Sequence, residues 1–335
     1  METVKRPHAE NLVRWARERP EVLVLSADLT NSCEAGDFRA AYPDRFFSMG
    51  MAEQNMIGFA AGLAREGFFP FVHTFAVFIC RRAYDQVAMS IAYPNLPVRL
   101  LGFLPGITTP GGVTHQAIDD VALMRAIPNM TILECGDATE VESVPDVAQA
   151  VDGPVYVRML RGEVPRLFDP GQPMKLDTVR ILSEGSDVAI LSGGICSEEA
   201  IRAVQALKKR GVSLNHLHIS TLKPFADSRI LEAAAAARRG VVTIENHSII
   251  GGLGAAAAEL LAEAGLGKRL IRLGLKGRYA HGASRRYLMR ECGIDALAVA
   301  AAVEQLLDTS FGLEPEELAA VDIPTVPGDS KPEAL

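Results

Sequence analysis

No two cysteines in this chain are spaced as C-x-x-C, and none stands beside a histidine. The five present (Cys33, Cys80, Cys135, Cys196 and Cys292) are odd in number and far apart. That excludes a disulfide framework and a zinc site and points to the cytosol as the compartment. Positive charge is not in surplus either. A formal net charge of −7 leaves no footprint for nucleic acid or an anionic membrane. Long apolar runs are also missing. The most apolar stretch, GFFPFVHTFAVFIC, contains a proline and a histidine and stops at Arg81-Arg82, short of the roughly 20 residues a bilayer needs. The opening METVKRPHAENLVRWARERP is charged throughout and does not resemble a signal peptide. With 48% hydrophobic and 22% charged residues over 335 positions, the expectation is a soluble globular chain of about two domains.

What is present is alternation. EVLVLSAD, FFPFVHTF, LPVRLLGFL, MTILE and GPVYVRML read as strands. Between them lie helical patterns, among them the segment opening at Glu53, RRAYDQVAMSIAY and a helix from Asp119. Strands alternating with helices predict an α/β fold with a mostly parallel sheet covered on both faces. The Pro- and Gly-rich RGEVPRLFDPGQPMKLD breaks the pattern, which then restarts with DVAILSGG, VSLNHLHIS and GVVTIENHS. The predicted organisation is a first α/β domain over 1–165, a linker over 166–182, a second, smaller α/β domain over 183–310, and a Pro-rich acidic tail over 311–335, extended along a surface or disordered.

Several short patterns invite a chemical reading, and each has a bland one. GGLG after a strand resembles a phosphate-binding turn, but it lacks the G-x-G-x-x-G spacing and the acidic residue about 20 positions on, so a tight strand-to-helix turn explains it. SGGICSEEA is an ordinary helix start. In TPGGVTHQ, Gly111 and Gly112 permit close backbone approach and His115 follows on a loop after a strand, where open α/β sheets bind ligands; a structural histidine is the other reading. Phe75, Phe78 and Tyr84 fit core packing. Asp28 fits a turn cap. Glu53 stands at the mouth of a helix crowded with Gly58, Ala60, Ala61 and Gly62, where it is either a first-turn carboxylate helped by the helix dipole or a group something needs.

Taken in order, ADL, GMAEQNMIGFAAGLA, HTFAVF…RAYDQ and TTPGGVTHQAIDDVALMRAIPNM resemble the pyrimidine-binding domain of the transketolase family. ISTLKPF and TIENHSIIGGLG resemble its C-terminal domain, and together the motifs span residues 5–305. The resemblance implies two mostly parallel-sheet, three-layer domains, with thiamine diphosphate bound between domains and Mg²⁺ with the diphosphate held by a Gly-Asp-Gly…Asn motif. This sequence contains no such motif. It is thus similar to the C-terminal half of a split transketolase, and the resemblance implies a partner, the N-terminal-half subunit. That partner holds Mg²⁺, no metal ligand is expected in this chain, and the pyrimidine domains self-associate into a heterotetramer through the face at Gly58, Ala61 and Gly62.

The resemblance also assigns residues. Glu53 matches the glutamate that hydrogen-bonds the aminopyrimidine N1′, Phe75 and Phe78 lie against that ring, and Asp28 lies near the cofactor rings. His115 matches the histidine that approaches the reactive carbon and substrate hydroxyls. Arg158 matches the substrate-phosphate arginine, and Ser32, with Lys5 or Arg6, also faces a phosphate. Two positions depart from the pattern. Gly111 stands where an aspartate reads a sugar hydroxyl, and Phe103 where an upstream histidine stands. The implied activity is transfer of a two-carbon ketol unit between sugar phosphates, and the missing aspartate suggests a branched or otherwise modified ketose phosphate, such as apulose 4-phosphate. Two enzymatic alternatives share the architecture, the β-subunit of a 2-oxo acid dehydrogenase and 1-deoxyxylulose-5-phosphate synthase. THQ and STLKPF weigh against the first, and the missing diphosphate domain against the second. A non-catalytic module that kept only the fold is a further alternative, opposed by the joint presence of Glu53, Phe75, Phe78 and His115.

Overall fold

A computed structural model of the chain describes residues 2–323. The first half supplies β1 (Thr3–Lys5), β2 (Val22–Ser26), β3 (Phe46–Ser48), β4 (Phe69–Phe75), β5 (Arg99–Phe103), β6 (Thr131–Glu134), β7 (Val155–Met159) and β8 (Glu163–Pro165). The second half supplies β9 (Arg180–Ser183), β10 (Val188–Ser192), β11 (Leu214–His218), β12 (Thr221–Lys223), β13 (Gly240–Ser248) and β14 (Leu270–Leu275). β2, β5 and β7 are buried at every residue, as befits parallel strands covered on both faces.

The first sheet runs β12-β6-β7-β5-β4-β2-β3, and the second β14-β13-β10-β11-β9. All pairs in the first are parallel except β12 on β6. β12 comes from STLKPF, expected inside the second domain; it crosses over and extends the first sheet at its edge. In the second sheet only β9 is antiparallel. The helices Cys196–Lys209 and Ala296–Leu307 pack together on that sheet, as do Ser228–Ala236 and Leu253–Glu263. No helix among the described residues is long and apolar enough to cross a membrane.

Two expectations change in detail. RRAYDQVAMSIAY is not one helix. A helix over Ala76–Arg82 starts directly from β4, breaks at Ala83, and resumes as a short turn and a π-helical stretch over Val87–Ala92. The tail also begins as packed structure. Pro315 opens a helix over Pro315–Ala319, where its fixed φ suits the first helical position. Leu318, Val321 and Ile323 are buried, and Arg202 donates to the carbonyls of Ala319 and Val321. Residues 324–335 lie outside the described residues.

The sheet order positions the site. The chain leaves β2 for β3 on one side and returns to β4 on the other. Ligands in open α/β sheets bind outside the carboxyl ends of the strands at such a reversal. The segments following β2, β4, β5 and β7 all emerge at that edge.

Candidate active site

β4 ends at Phe75 and passes straight into the helix Ala76–Arg82, so Phe75 and Phe78 stand one helical turn apart with ring centroids 5.8 Å from each other. The loop after β5 turns back through Val113–His115. This sets the His115 imidazole edge-on to both rings, 5.9 Å from Phe75 and 5.7 Å from Phe78. Edge-to-face geometry of this kind is the favoured one for aromatic pairs. His115 is partly exposed, and its Nδ1 lies 2.9 Å from Thr114 Oγ1.

Glu53 is the first residue of the helix Glu53–Arg65 and is only 4% exposed. A buried carboxylate needs a partner, and here it is Arg82. The Arg82 Nη1 donates to Glu53 Oε1 at 2.8 Å. Its guanidinium lies 3.9 Å from the Phe78 ring centroid, a cation–π contact, while half of its side chain remains exposed. Carboxylate, arginine, two phenylalanines and histidine therefore form one contiguous wall. Arg82 was not foreseen as part of it; the signal was the Arg81-Arg82 pair one turn beyond Phe78. Arg81 turns the other way and pairs with Asp119.

The phosphate-facing residues fall out differently from expectation. Arg158 does not reach the edge. It is 1% exposed, donates from Nε to Asp120 at 2.8 Å, pairs through Nη1 with Glu134, and donates from Nη2 to Asp120 Oδ1 and the Asn246 carbonyl. Burial works against its charge, but Asp120 and Glu134 outweigh burial and hold its pKa above the usual range. With its donors so engaged, it ties the two sheets together instead of facing a substrate. Strand periodicity explains this: Tyr156 and Arg158, two apart, point the same way, and both bond Asp120.

The arginine that does reach the edge is Arg161, three residues on, where β7 has ended and Gly162 turns with φ +77°. It is exposed, its guanidinium sits 6.0 Å from the Phe75 ring centroid, and its Nη1 donates to the Ser32 carbonyl at 2.9 Å. The spacing past the strand end was the available signal. Beside it, the Gly162 N–H donates to Glu34 Oε1 at 2.6 Å. Glu34 is raised by burial, and the nearby charges of Arg6 and Arg161 counter that. Lys5 is exposed opposite Glu163, and Arg6 opposite Asp37.

Asp28 follows β2 at the same edge, exposed, left-handed at φ 58°, with no side-chain partner among the described residues. Gly111 adjoins His115: a Cβ there would lie 3.5 Å from the His115 Cβ and Cγ and 3.2 Å from Thr109 Oγ1. Phe103 contributes nothing to the edge. It is fully buried against His8 and His73.

The wall meets solvent at Arg82, which is exposed, and at Phe78 and His115, which are partly so. A cleft of about 600 Å³ lies apart from it, between Glu198, Arg202, Arg285, Tyr287 and Pro315. Among the described residues, no group of three or more His, Cys, Asp or Glu is arranged to hold a metal ion.

Residues 5–166 match the family model of the transketolase pyrimidine binding domain, and residues 177–326 that of the transketolase C-terminal domain. The chain is 40% identical to a putative transketolase family protein of Sinorhizobium fredii over 90% of its own length and 88% of the relative's. It is 37% identical to a 6-deoxy-6-sulfo-D-fructose transketolase subunit of a Clostridium species, over 90% and 93% of the two chains. Among solved structures, a split gene transketolase described as an inactive beta4 tetramer superposes with a TM-score of 0.83 at 38% identity, covering 90% of this chain and 97% of that one. This chain belongs to the transketolase family.

Proposed function

We propose that the chain is one subunit of a two-subunit, thiamine-diphosphate-dependent transketolase that moves a two-carbon ketol unit between sugar phosphates. The observation that carries the reading is the contiguity of Glu53, Phe78, Phe75 and His115 at one sheet edge. The wall fits an aminopyrimidine on a specific ground. The Arg82 guanidinium, a planar group bearing N–H donors, already lies on Phe78 while bonding Glu53. A planar heterocycle with a ring N–H can satisfy the same two partners.

Thiamine diphosphate, when bound, supplies the carbon nucleophile that attacks a ketose carbonyl. The chain's own residues do the rest. Glu53 holds a proton at the ring nitrogen. Phe75 and Phe78 pack against the base and keep water from it, and Asp28 stands near the cofactor rings. His115, on the same wall, takes or returns a proton at a substrate hydroxyl. Arg161, with Ser32 and Lys5 or Arg6, grips the sugar phosphate by charge-assisted hydrogen bonds.

Mg²⁺ and the diphosphate fall to an N-terminal-half partner subunit, a division supported by the split-gene neighbour. Self-association of pyrimidine domains is supported by the exposed face of the helix Glu53–Arg65, where Gly58 and Gly62 have nothing within 4 Å of a built Cβ. Ala61, expected on that face, is buried inside the chain instead. Two such chains and two partners complete a heterotetramer. Gly111 beside His115 supports a modified ketose phosphate as substrate, and the Clostridium relative is named for a modified ketose that carries a sulfonate, 6-deoxy-6-sulfo-D-fructose.

The test is reconstitution. The chain alone and the chain mixed with a partner bearing Gly-Asp-Gly…Asn are assayed by calorimetry with thiamine diphosphate and Mg²⁺, and for ketol transfer across a panel of ketose phosphates. The expected result is weak binding and no transfer alone, and both restored in the mixture. Tight binding with transfer by the isolated chain, or none in the mixture, overturns the proposal.

A further inference from the structure

The loop that carries Gly111 and His115 leaves the first sheet after Phe103, and the second domain holds its backbone alongside Arg81 and Arg158 of the first, which donate to the Gln116 and Ala117 carbonyls. Near its start, Asn246, at 1% exposure near the end of β13, grips it with both ends of its amide. Oδ1 accepts from the Ile107 N–H at 2.9 Å, and Nδ2 donates to the Pro105 carbonyl at 3.0 Å. Between them, Gly106 adopts φ +58°, and a Cβ there would fall 2.2 Å from Asn246 Oδ1. Only glycine allows that approach. The Asn246 backbone carbonyl in turn accepts from Arg158 Nη2 at 2.9 Å, so the residue's main chain is itself anchored.

The far end is held too. Gln116, 2% exposed, donates from Nε2 to the His281 carbonyl at 3.1 Å. Gly112, at φ +74°, lies against Gly282: a Cβ there would be 3.4 Å from the Gly282 nitrogen. The Ser248 N–H donates to the Ile118 carbonyl at 2.8 Å, and the Gly106 N–H closes the loop onto the Ala117 carbonyl at 2.8 Å. By contrast, the His115 ring has Thr114 as its hydrogen-bond partner among the described residues and rests against the Phe75 and Phe78 rings. Where the imidazole sits therefore depends on backbone that the second domain helps to fix.

We infer that Asn246 is a positioning residue: through the 105–118 loop, the C-terminal domain sets the reach of His115 toward substrate. The inference rests on the proposed role of His115. Catalysis is steep in placement, since a misplacement of about 1 Å can cost on the order of 10²-fold in rate. The phosphate grip is built on other segments, at Ser32 and Arg161, so loosening the loop strikes turnover and spares substrate binding.

Two variants test this, each in the full chain: Asn246→Ala, and Asn246→Asp, which keeps the acceptor for Ile107 and the side-chain size if the alanine variant does not fold. Hydrogen exchange over 105–118 is expected to quicken about tenfold or more in Asn246→Ala and by less in Asn246→Asp, with β2 unchanged. In the complex with its partner subunit, kcat is expected to fall about tenfold or more in Asn246→Ala and by less in Asn246→Asp, with KM for the ketose phosphate within about threefold of wild type. Unchanged exchange in the loop, or faster exchange with kcat untouched, overturns the inference, as does a rise in KM matching the fall in kcat. If wild type itself shows no ketol transfer, the proposed function has failed and the kinetic role of Asn246 falls with it. The exchange measurement on the chain alone still decides whether Asn246 holds the loop.

Discussion

Both sheets bring the carboxyl ends of parallel strands to an edge, and the two edges have opposite fates. At the first, Asp28, His115, Arg82 and Arg161 keep polar groups wholly or partly in solvent. At the second, β10 is followed by Gly193 and Gly194, and a Cβ on either would fall 2.8 or 2.4 Å from the Glu134 carboxylate. The crevice where such a sheet would take a ligand is filled by the other domain. Behind it runs a series that resembles a hydrolase constellation: Ser197 Oγ lies 2.6 Å from His218 Nδ1, and His218 Nε2 lies 2.9 Å from Glu140 Oε2. All three are wholly buried, and Glu140 comes from the first domain's helix Ala138–Gln149. A triad is recognised by geometry and by role, and no substrate reaches this one. The same topology thus yields a working wall and a structural joint, and what separates them is which edge the rest of the chain covers.

The strongest way to break that contrast is at the open edge. Glu53→Gln keeps the side chain's size but loses its capacity to accept at both oxygens and to hold a proton as a carboxyl. Turnover of the reconstituted enzyme is expected to fall by at least about 10²-fold with the fold intact, as read by steady-state kinetics and circular dichroism. Near-normal activity in the folded variant would remove Glu53 from the mechanism.

Histidines buried behind both edges should yield instead to acid. Burial first, then the charge of His218, pushes His216 down to about 3, and burial pushes His73, in the first domain's core, down to about 4. Both lie below the unfolded value of about 6.5, so the unfolded chain binds more protons between these limits. Their contribution to stability is complete above about pH 6.5 and is lost as pH falls toward 4, at about 1.4 kcal/mol per unit for each histidine. By pH 4 each has cost on the order of 3 kcal/mol, a large share of an ordinary domain's stability. Urea midpoints are expected to drop steeply over that window. A flat profile would mean these histidines are not buried as described.

Arg161→Ala sharpens the open side further. A hydrogen bond to a charged group is worth about 1.5–3 kcal/mol, so KM for the phosphorylated substrate should rise roughly 10- to 100-fold with a smaller change in kcat. An exposed side chain costs little stability when removed. An unchanged KM would return the phosphate site to other residues.

These residues also show how far the sequence could be read. Buried runs such as VLVLS and VYVRM announce parallel strands, and the motifs single out Glu53, Phe75, Phe78 and His115, which the structure brings to one wall. Arg158 and Arg161 were not distinguishable that way. The motif places an arginine after GPVYV, but the strand's two-residue period sends Arg158 inward to Asp120, and only the chain's turn at Gly162 frees Arg161. That β12 pairs with the first sheet was not legible, because nothing local in STLKPF tells a strand which of two sheets it will join. Asn246 was invisible for a related reason: its partners, Pro105 and Ile107, lie about 140 positions away in sequence.

A subtler change tests selectivity at the open wall. Gly111→Asp would place a carboxylate beside His115, where a Cβ meets only ordinary contacts to the imidazole and a tighter one to Thr109 Oγ1. A group that hydrogen-bonds a substrate hydroxyl discriminates against sugars that lack it. The expected outcome is a several-fold shift in kcat/KM toward unbranched ketose phosphates relative to modified ones. If unbranched and modified substrates are used equally well before and after the change, Gly111 has no part in selectivity.

The smallest expected effect on activity is also the sharpest test of the contrast. Ser197→Ala removes the hydroxyl that links Ser192 to His218, at the closed edge, where the constellation looks most like chemistry. His218 Nδ1 is then buried without a partner, which costs about 1–3 kcal/mol of stability. Ketol transfer at a temperature where the variant stays folded should remain within about twofold of wild type, because nothing at the joint meets substrate. A serine-directed fluorophosphonate should label neither protein. Labelling of wild type that is lost in the variant, or loss of transfer without loss of structure, would show that the second edge opens in solution and that burial there is not what separates it from the first.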